Sequence, residues 1–568
     1  MRVRAMADYT PSPRAIRAVA VLVRIGHRAW LAALAGYVVL VLILGLPHSP
    51  ELGPLETPVQ IGLLGAGLVG GAIAFRSVPV GGVVLVFGAV ALGVMASLRY
   101  PPMLAFVAVA PFFVPGNAYV AAWIVGAAPR MTVTASVVLV VLFAGGGFAA
   151  GTVHDHYHGA AHPQSEREAL AESAVSWVWS GGITPDSAVV VAQVEPGSLT
   201  RLLIEPADAG PFGPVVADGE GVARFDLSRL SPSTAYRYVV EVDGVRDEVR
   251  TGSLATVTTE PMSFSVAAGS CARSSSNGMV FEAIRQAEPT LFLITGDIHY
   301  GNFVEGDPAL FRGALDASLT QPAPAALYRS VPIAYIFDDH DFGGNDADSA
   351  SPSRPAILEV YRQYVPDYGV PEDPNAPVYQ AWSIGRVRFI VTDVRSDRSP
   401  KTDPDGPDKT MLGATQKAWL KAELLAAADG PIVWVNPVPW IGEAKAGADT
   451  WAGYTTERSE IADFIAANDI DGIVMVSGDA HMIAIDDGTN SDYSTSRGAG
   501  FPIIHAAALD RPGGTKGGPY SEGAYPGAGQ WALITFTDDG GDTITVELSG
   551  RDWTGTELVG LTVELPAD

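Results

Sequence analysis

Leu291-Phe292-Leu293-Ile294-Thr295-Gly296-Asp297-Ile298-His299-Tyr300 begins as an apolar run and ends on side chains that carry chemistry. The run is strand-like, and Gly296–Tyr300 stand where open α/β sheets bind ligands, beyond the carboxyl ends of their strands. The same arrangement recurs along the chain. Met262–Ala268 runs into Gly269-Ser270-Cys271, and Ile333–Phe337 into Asp338-Asp339-His340-Asp341, with Asn345 and Asp346 just beyond. Val387–Thr392 leads to Asp393-Val394-Arg395, and Ile473–Val476 to Gly478-Asp479-Ala480-His481. Taken singly, Gly-Asp is often only a turn, Cys271 a small buried hydrophobe and Tyr300 a core ring. Five strand ends sharing one metal-site vocabulary predict a single convergent site.

Around these runs the texture is that of a layered α/β domain over residues 254–568. Ile432–Val435 is a further strand, and Trp531–Phe536 and Thr543–Leu548 are later ones. Ala414–Ala428 reads as a helix with Trp419, Leu420 and Leu424 on one face. Upstream, residues 173–253 read as all-β: Val175, Trp177 and Trp179 alternate, and Ala188–Val194 and Tyr236–Val242 are strands. Leu230-Ser231-Pro232-Ser233-Thr234-Ala235-Tyr236 resembles the corner of fibronectin-like and immunoglobulin-like sandwiches. Residues 152–172 read as a linker, whose His154, His156, His158 and His162 are better taken as a polar juxtamembrane segment than as a metal tract.

The first 151 residues differ in composition. They hold nine arginines, no lysine and three acidic residues, whereas the rest holds 27 of the 36 basic and 59 of the 62 acidic residues. Five apolar runs, Ala29–Leu46, Val59–Phe75, Val78–Leu98, Met103–Ala128 and Met131–Ala150, approach bilayer-spanning length. Arg2, Arg4, Arg14, Arg17, Arg24 and Arg28 precede the first, which predicts a cytoplasmic N-terminus and, after five crossings, an outward-facing remainder. Gly65-Ala66-Gly67-Leu68-Val69-Gly70 matches a dinucleotide fingerprint but lacks its strand, helix and acidic residue; close helix packing through small residues is the better reading. The acidic remainder argues against a nucleic-acid surface and tolerates divalent cations. Cys271, the sole cysteine, has no partner for an internal disulfide.

On Ser270-Cys271, Gly296-Asp297-x-x-Tyr300, Asp338-Asp339-His340-Asp341, Asp393-Val394-Arg395 and Gly478-Asp479-x-His481, the chain from about Ser173 to Pro566 resembles the PhoD-like (alkaline phosphatase D) metallophosphoesterases. The resemblance implies a hydrolase of phosphoric esters, with ferric iron and one or two calcium ions. Cys271 and Tyr300 would be anionic ligands to iron, Asp297 a bridge to the second metal, and Asp479 and His481 further ligands. Asp339 or Asn345 would reach the second metal, Arg395 would clamp phosphate, and His340 would protonate the leaving oxygen. Such donors suit the roles: thiolate and mixed donors a transition metal, oxygen ligands calcium, and paired cations a water of lowered pKa.

Two features depart from the family. Relatives carry Trp-Asp-Gly-Tyr where this chain has Trp451-Ala452-Gly453-Tyr454, so a calcium carboxylate is missing in place and Asp449 is its nearest substitute. A twin-arginine export signal is replaced by the predicted anchor. The whole predicts a multi-domain protein: an α-helical transmembrane region over 1–151, a linker over 152–172, a small β-sandwich over 173–253 and an α/β metallophosphoesterase domain over 254–568. Its function is expected to be that of a multi-pass cell-membrane phosphatase or phosphodiesterase with an extracytoplasmic active site. A phospholipase D-like or wall-polymer phosphodiesterase, or a catalytically weak membrane-tethered sensor, are the alternatives.

Overall fold

The computed structural model describes residues 12–44, 73–74, 76–96, 115–124, 145–150, 163–207, 210–506, 508–511 and 513–567. They form two compact units, 1–157 and 158–568. In the first, helices α1 (Pro13–Leu44) and α2 (Val78–Ala96) meet a helical segment over 115–124. A Cβ on Gly26 would lie 2.5 Å from the Tyr119 ring, and one on Gly82 2.9 Å from the Tyr119 Cβ. Missing side chains are what let these helices touch.

The expected transmembrane region is corrected here: among the described residues, no helix is long and apolar enough to cross a membrane. α1 carries Arg14, Arg17, Arg24 and Arg28 along its first half, and α2 is diluted by Pro79, Gly81, Gly82, Gly88 and Gly93. Glycine adds length to an apolar run but almost no transferable apolar area. Most of Val59–Phe75, Met103–Ala128 and Met131–Ala150 lies outside the described residues, as do Gly65–Gly70 and His154, His156, His158 and His162. The multi-pass cell-membrane localisation, with its outward-facing catalytic domain and membrane-embedded surroundings, rested on those spans and falls with them.

In the second unit the all-β stretch supplies β1 (Trp177–Gly181), β2 (Ser187–Gln193), β3 (Leu199–Glu205), β4 (Phe212–Val216), β5 (Val222–Ser228), β6 (Ala235–Val242), β7 (Val245–Arg246) and β8 (Gly252–Ala255). The Tyr236 hydroxyl accepts from the Ser231 N–H at 2.8 Å, closing the corner expected there. β1 departs from the half-buried alternation: all five of its residues are buried. Its indoles, on one face, are anchored by hydrogen bonds, Trp177 Nε1 donating to Asp316 and Trp179 Nε1 to the Tyr364 carbonyl, each at 2.8 Å.

The α/β part contributes β9 (Phe264–Gly269), β10 (Leu291–Thr295), β11 (Ile333–Ile336), β12 (Gln380–Ile384), β13 (Val387–Val391), β14 (Ile432–Asn436) and β15 (Ile473–Ser477). It ends with β16 (Met482–Asp486), β17 (Ile503–Ala506), β18 (Gly523–Pro526), β19 (Gln530–Thr537), β20 (Thr543–Asp552) and β21 (Glu557–Pro566). Two large sheets result, ordered β21-β20-β19-β9-β10-β11-β1-β2-β5 and β12-β13-β14-β15-β17-β16-β18. The module's β1 pairs in parallel with β11, Gly181 opposite Ile333, so one of its sheets is continuous with the first large sheet. β3, β4, β6, β7 and β8 form a separate sheet over a shared core.

The two-residue strand period decides how the large sheets meet. Val433, Val435, Val474 and Val476 enter the core that holds Val266, Leu293 and Ile534. Their neighbours Ile432, Trp434, Ile473 and Met475 face a second core with Leu420, Leu424, Ile461 and Ile465. Each fully buried valine contributes about 1.5–3 kcal/mol. Because β9, β10 and β11 are mutually parallel, as are β13, β14 and β15, each set ends on one edge of its sheet.

Gly478 marks where the two sets of strand ends touch. A Cβ there would stand 2.3 Å from the Thr295 carbonyl oxygen and 3.0 Å from that of Pro437. Gly478→Ala is expected to lower unfolding free energy by about 1–3 kcal/mol, because backbone cannot yield as a side chain does. Gly430→Ala, whose Cβ would find its nearest atom at 3.8 Å, is the control and should leave the urea midpoint unchanged or slightly raised. Equal midpoints for the two variants would contradict the close approach.

Candidate metal centre

Three of the site loops, those after β9, β10 and β15, leave their strands through residues forced into the left-handed backbone region. Cys271 (φ 59°), Asp297 (φ 54°), Asp479 (φ 58°) and His481 (φ 52°) all adopt it. That costs a non-glycine residue about 1 kcal/mol or more, and such residues persist where surrounding structure fixes them. Here the fixing bonds are visible. The Cys271 N–H donates to the Gly296 carbonyl at 3.3 Å and the Ala272 N–H to that of Asp297 at 2.8 Å. Asp341 holds the next loop, accepting from the Asp338 N–H at 2.6 Å, the Ile298 N–H at 3.1 Å and the Tyr335 hydroxyl at 2.7 Å.

The result is a row of potential ligands. Cys271, Asp297 and His481 offer atoms within 4.8 Å of one another, as do Asp297, Asp339 and His340, and again Asp339, Asp346 and Asp449. Asp297 and Asp339 are each shared between two of these groups. The Tyr300 hydroxyl joins the first, 2.9 Å from His481 Nε2. Cys271 Sγ lies 3.7 Å from Asp297 Oδ2 and 3.3 Å from Ser270 Oγ.

Electrostatics show why this row suits cations. Burial, then the neighbouring carboxylates of Asp339 and Asp338, push the Asp297 carboxyl well above its ordinary range. Burial and then Asp297 and Asp479 push the Cys271 thiol up, and burial and then Asp297 and Cys271 raise the Tyr300 phenol. An added positive charge reverses each of these penalties. Elsewhere the protein supplies its own cations. Burial would raise Asp479, but Lys516 at 2.9 Å holds it below its usual value. Lys401 pairs with Asp346, and Arg398 with Asp449 at 2.7 Å. Among the described residues, the two shared carboxylates, Asp297 and Asp339, have no lysine or arginine partner. The donor chemistry divides the same way: sulfur, phenol, imidazole and carboxylate suit a transition metal, and carboxylates alone suit a hard divalent cation.

Residues 264–507 match the family model for PhoD-like phosphatase. That match takes in the five strand ends that carry the ligand groups. Alkaline phosphatase D of Bacillus subtilis (strain 168) is 24% identical over 186 residues, 28% of this chain and 32% of that protein's own length. A solved structure of PhoD matches over 72% of this chain and 94% of its own, at 15% identity and a TM-score of 0.52, a likeness of fold. A purple acid phosphatase from yellow lupin (Lupinus luteus) seeds matches over 68% of this chain and 73% of its own, at 12% identity and a TM-score of 0.46. The expected PhoD-like phosphoester hydrolase, a metal-dependent class, agrees with the family match and the curated relative.

Within the site the sequence-predicted residues take different places. Cys271, Asp297, Tyr300, Asp339 and His481 converge as described, and His340 stands beside them, its ring 4.2 Å from that of Tyr300. Asp479 is buried next to them but bound to Lys516. Asn345 is exposed, and its neighbour Asp346 turns inward instead, its N–H donating to Asp339 Oδ2 at 2.6 Å. Arg395 does not face an open phosphate position. Its fully buried guanidinium bonds Asp338 at 2.6 Å, Asp449 at 3.1 and 2.8 Å and the Ala347 carbonyl at 3.2 Å. Asp393, in turn, caps the Arg395 and Ser396 N–H groups. Ala452 is buried without a carboxylate to offer, and Asp449 is spent on two arginines. Sequence reasoning missed Lys516 and Arg511. The glycine-rich run Arg511-Pro512-Gly513-Gly514-Thr515-Lys516-Gly517-Gly518 was the available signal, since glycine permits close backbone approach.

Removing Asp449 leaves two buried guanidinium groups short of a partner. Asp449→Ala is expected to cost about 3 kcal/mol of stability, in the range for breaking a buried pair, and Asp449→Asn clearly less. Urea denaturation at matched metal content checks this; a loss under about 1 kcal/mol would show that the pairs behave as surface contacts.

Proposed function

We propose that the protein is a metal-dependent phosphoester hydrolase of the alkaline phosphatase and phosphodiesterase type. The observation that carries this reading is the row of ligand groups joined through Asp297 and Asp339 at the edge where both sheets end. Cys271, Asp297, Tyr300 and His481 would hold ferric iron. Asp339 would be the carboxylate that holds calcium, with Asp346 and Asp449 beside it but already paired with Lys401 and with Arg395 and Arg398. Asp297 and Asp339 would be shared between neighbouring cations. When bound, such cations acidify a water and neutralise charge on phosphoryl oxygens.

The protein's own part is to position and to move a proton. His340 Nδ1 lies 2.5 Å from Asn302 Oδ1, an acceptor, so the ring proton sits on Nδ1 and Nε2 is the exchanging atom. Burial lowers the imidazole below its ordinary value, with Asp339 opposing. The ring is therefore neutral in alkaline solution, able to take a proton from water and return it to the leaving oxygen. The His340 N–H donates to Asp297 at 3.2 Å and Asp339 at 2.9 Å, fixing the ring's backbone to both shared carboxylates. The β-module over 173–253 serves as a rigid wall, its β1 extending the catalytic sheet.

Cys271→Ala and Tyr300→Phe are expected to abolish ligand-to-iron colour and most ester hydrolysis without loss of fold, checked by elemental analysis and visible absorption. His340→Ala should keep the metals and slow alkyl phosphates at least about tenfold more than aryl phosphates, because proton return matters most for poor leaving groups. Undiminished iron and activity in Cys271→Ala would rule out the thiolate ligand.

A further inference from the structure

We propose that Arg511, rather than Arg395, is the side chain that grips the phosphoryl oxygens of the substrate, an inference that rests on the phosphoester-hydrolase reading above. The candidate cations around the ligand row differ in what their donors are doing. Arg395 is buried and divided between Asp338 and Asp449, and Arg398 between Asp449 and the Tyr454 hydroxyl. Lys401 is held by Asp346 and Lys516 by Asp479. Arg398 keeps an unpartnered Nη1, but that atom is buried away from solvent, and a buried guanidinium held by carboxylates cannot turn to a substrate without leaving one of them unpaired.

Arg511 is placed otherwise. Its Cζ lies over the Tyr300 ring, 4.2 Å from the centroid, and its side chain donates to no protein acceptor among the described residues. An aromatic face fixes a guanidinium while consuming none of its N–H donors. The fork remains available for bidentate bonding to two non-bridging oxygens. The residue is half-buried, so solvent and substrate can reach it.

The backbone aims it there. Leu509 N–H donates to the Ser270 carbonyl at 2.9 Å and Arg511 N–H to the Cys271 carbonyl at 3.2 Å, pinning the segment to the residue that offers the thiol. Two positions on, a Cβ on Gly513 would fall 2.1 Å from the His481 Cβ, so the chain passes directly against a second ligand loop. Tyr300, beneath Arg511, stands beside His340. The free fork thus borders the proton-exchanging imidazole and the first ligand group together.

The test uses the full-length, metal-loaded protein. Wild type, Arg511→Gln and Arg511→Lys are compared in metal content, in KM and kcat for an aryl phosphate monoester, and in competitive inhibition by inorganic phosphate. Arg511→Gln is expected to keep its metals and to raise KM and the phosphate inhibition constant by about 10- to 100-fold, the loss of a charge-assisted bidentate contact. Arg511→Lys, which keeps charge without the fork, should fall between and stands in if the glutamine variant folds poorly. Arg273→Gln, a change of charge at an exposed arginine two residues from Cys271, tests for long-range attraction alone. An equal effect there, or a phosphate inhibition constant within twofold of wild type in Arg511→Gln, overturns the assignment while hydrolysis by wild type still stands. A metal-loaded wild type that neither cleaves phosphoesters nor binds phosphate would instead remove the functional reading and this inference with it.

Discussion

The guanidinium of Arg395 lies at the meeting point of the architecture. It projects from the end of β13 in one large sheet, bonds Asp338 at the end of β11 in the other, and reaches Asp449 on the connection after β14. Burial works against its charge, yet Asp338 and Asp449 outweigh that and hold it firmly protonated. Pairing of this quality is what allows so many carboxylates to stand close together away from water, since an unpaired buried charge costs several kcal/mol. Internal cations thereby settle Asp338, Asp346, Asp449 and Asp479, and Asp297 and Asp339 are left with a need for positive charge that no lysine or arginine among the described residues meets.

Rigid strands and strained loops divide the remaining work. The parallel strands are buried on both faces and contribute only position. The chemistry sits two to five residues beyond each, and at Cys271, Asp297, Asp479 and His481 on backbone that would not hold its left-handed conformation in isolation. Bonds such as Cys271 N–H to Gly296, and the close contact that Gly478 permits, let one loop hold the next. A ligand set of this kind is assembled by the two sheets together.

How much of this was legible in the sequence depends on the range of each interaction. Leu291–Thr295 could be read as a strand, with identical ends in the structure, because a short apolar run next to Gly-Asp is a local signal. The convergence of Cys271, Asp297, Tyr300 and Asp339 was legible for the same reason, since strand ends in a parallel sheet are neighbours whatever lies between them. His481 arrives from the second sheet, where only its Gly-Asp-x-His motif marked it. Arg395 was misread because its partner Asp449 is 54 residues away and no local pattern announces that pairing. Asn345 and Asp346 differ by a single step of backbone, which sequence does not orient. The N-terminal runs misled through composition: counting apolar residues ignores how little glycine contributes and how far Arg24 and Arg28 intrude into α1.

The same physics bears on where a substrate-binding cation can reside. A strand-end arginine is buried before any substrate arrives, so folding itself requires a carboxylate partner, and that partner then competes with the substrate. Arg395 shows this outcome. A cation kept for an incoming anion must instead lie at the rim, where water satisfies its donors in the free enzyme, and be fixed by something that is not an acceptor. The face of an aromatic ring meets both conditions. Tyr300 provides one, and because its hydroxyl is directed to His481, the group that steadies Arg511 also belongs to the metal-ligand set. Substrate grip and ligand geometry are therefore tied through one ring.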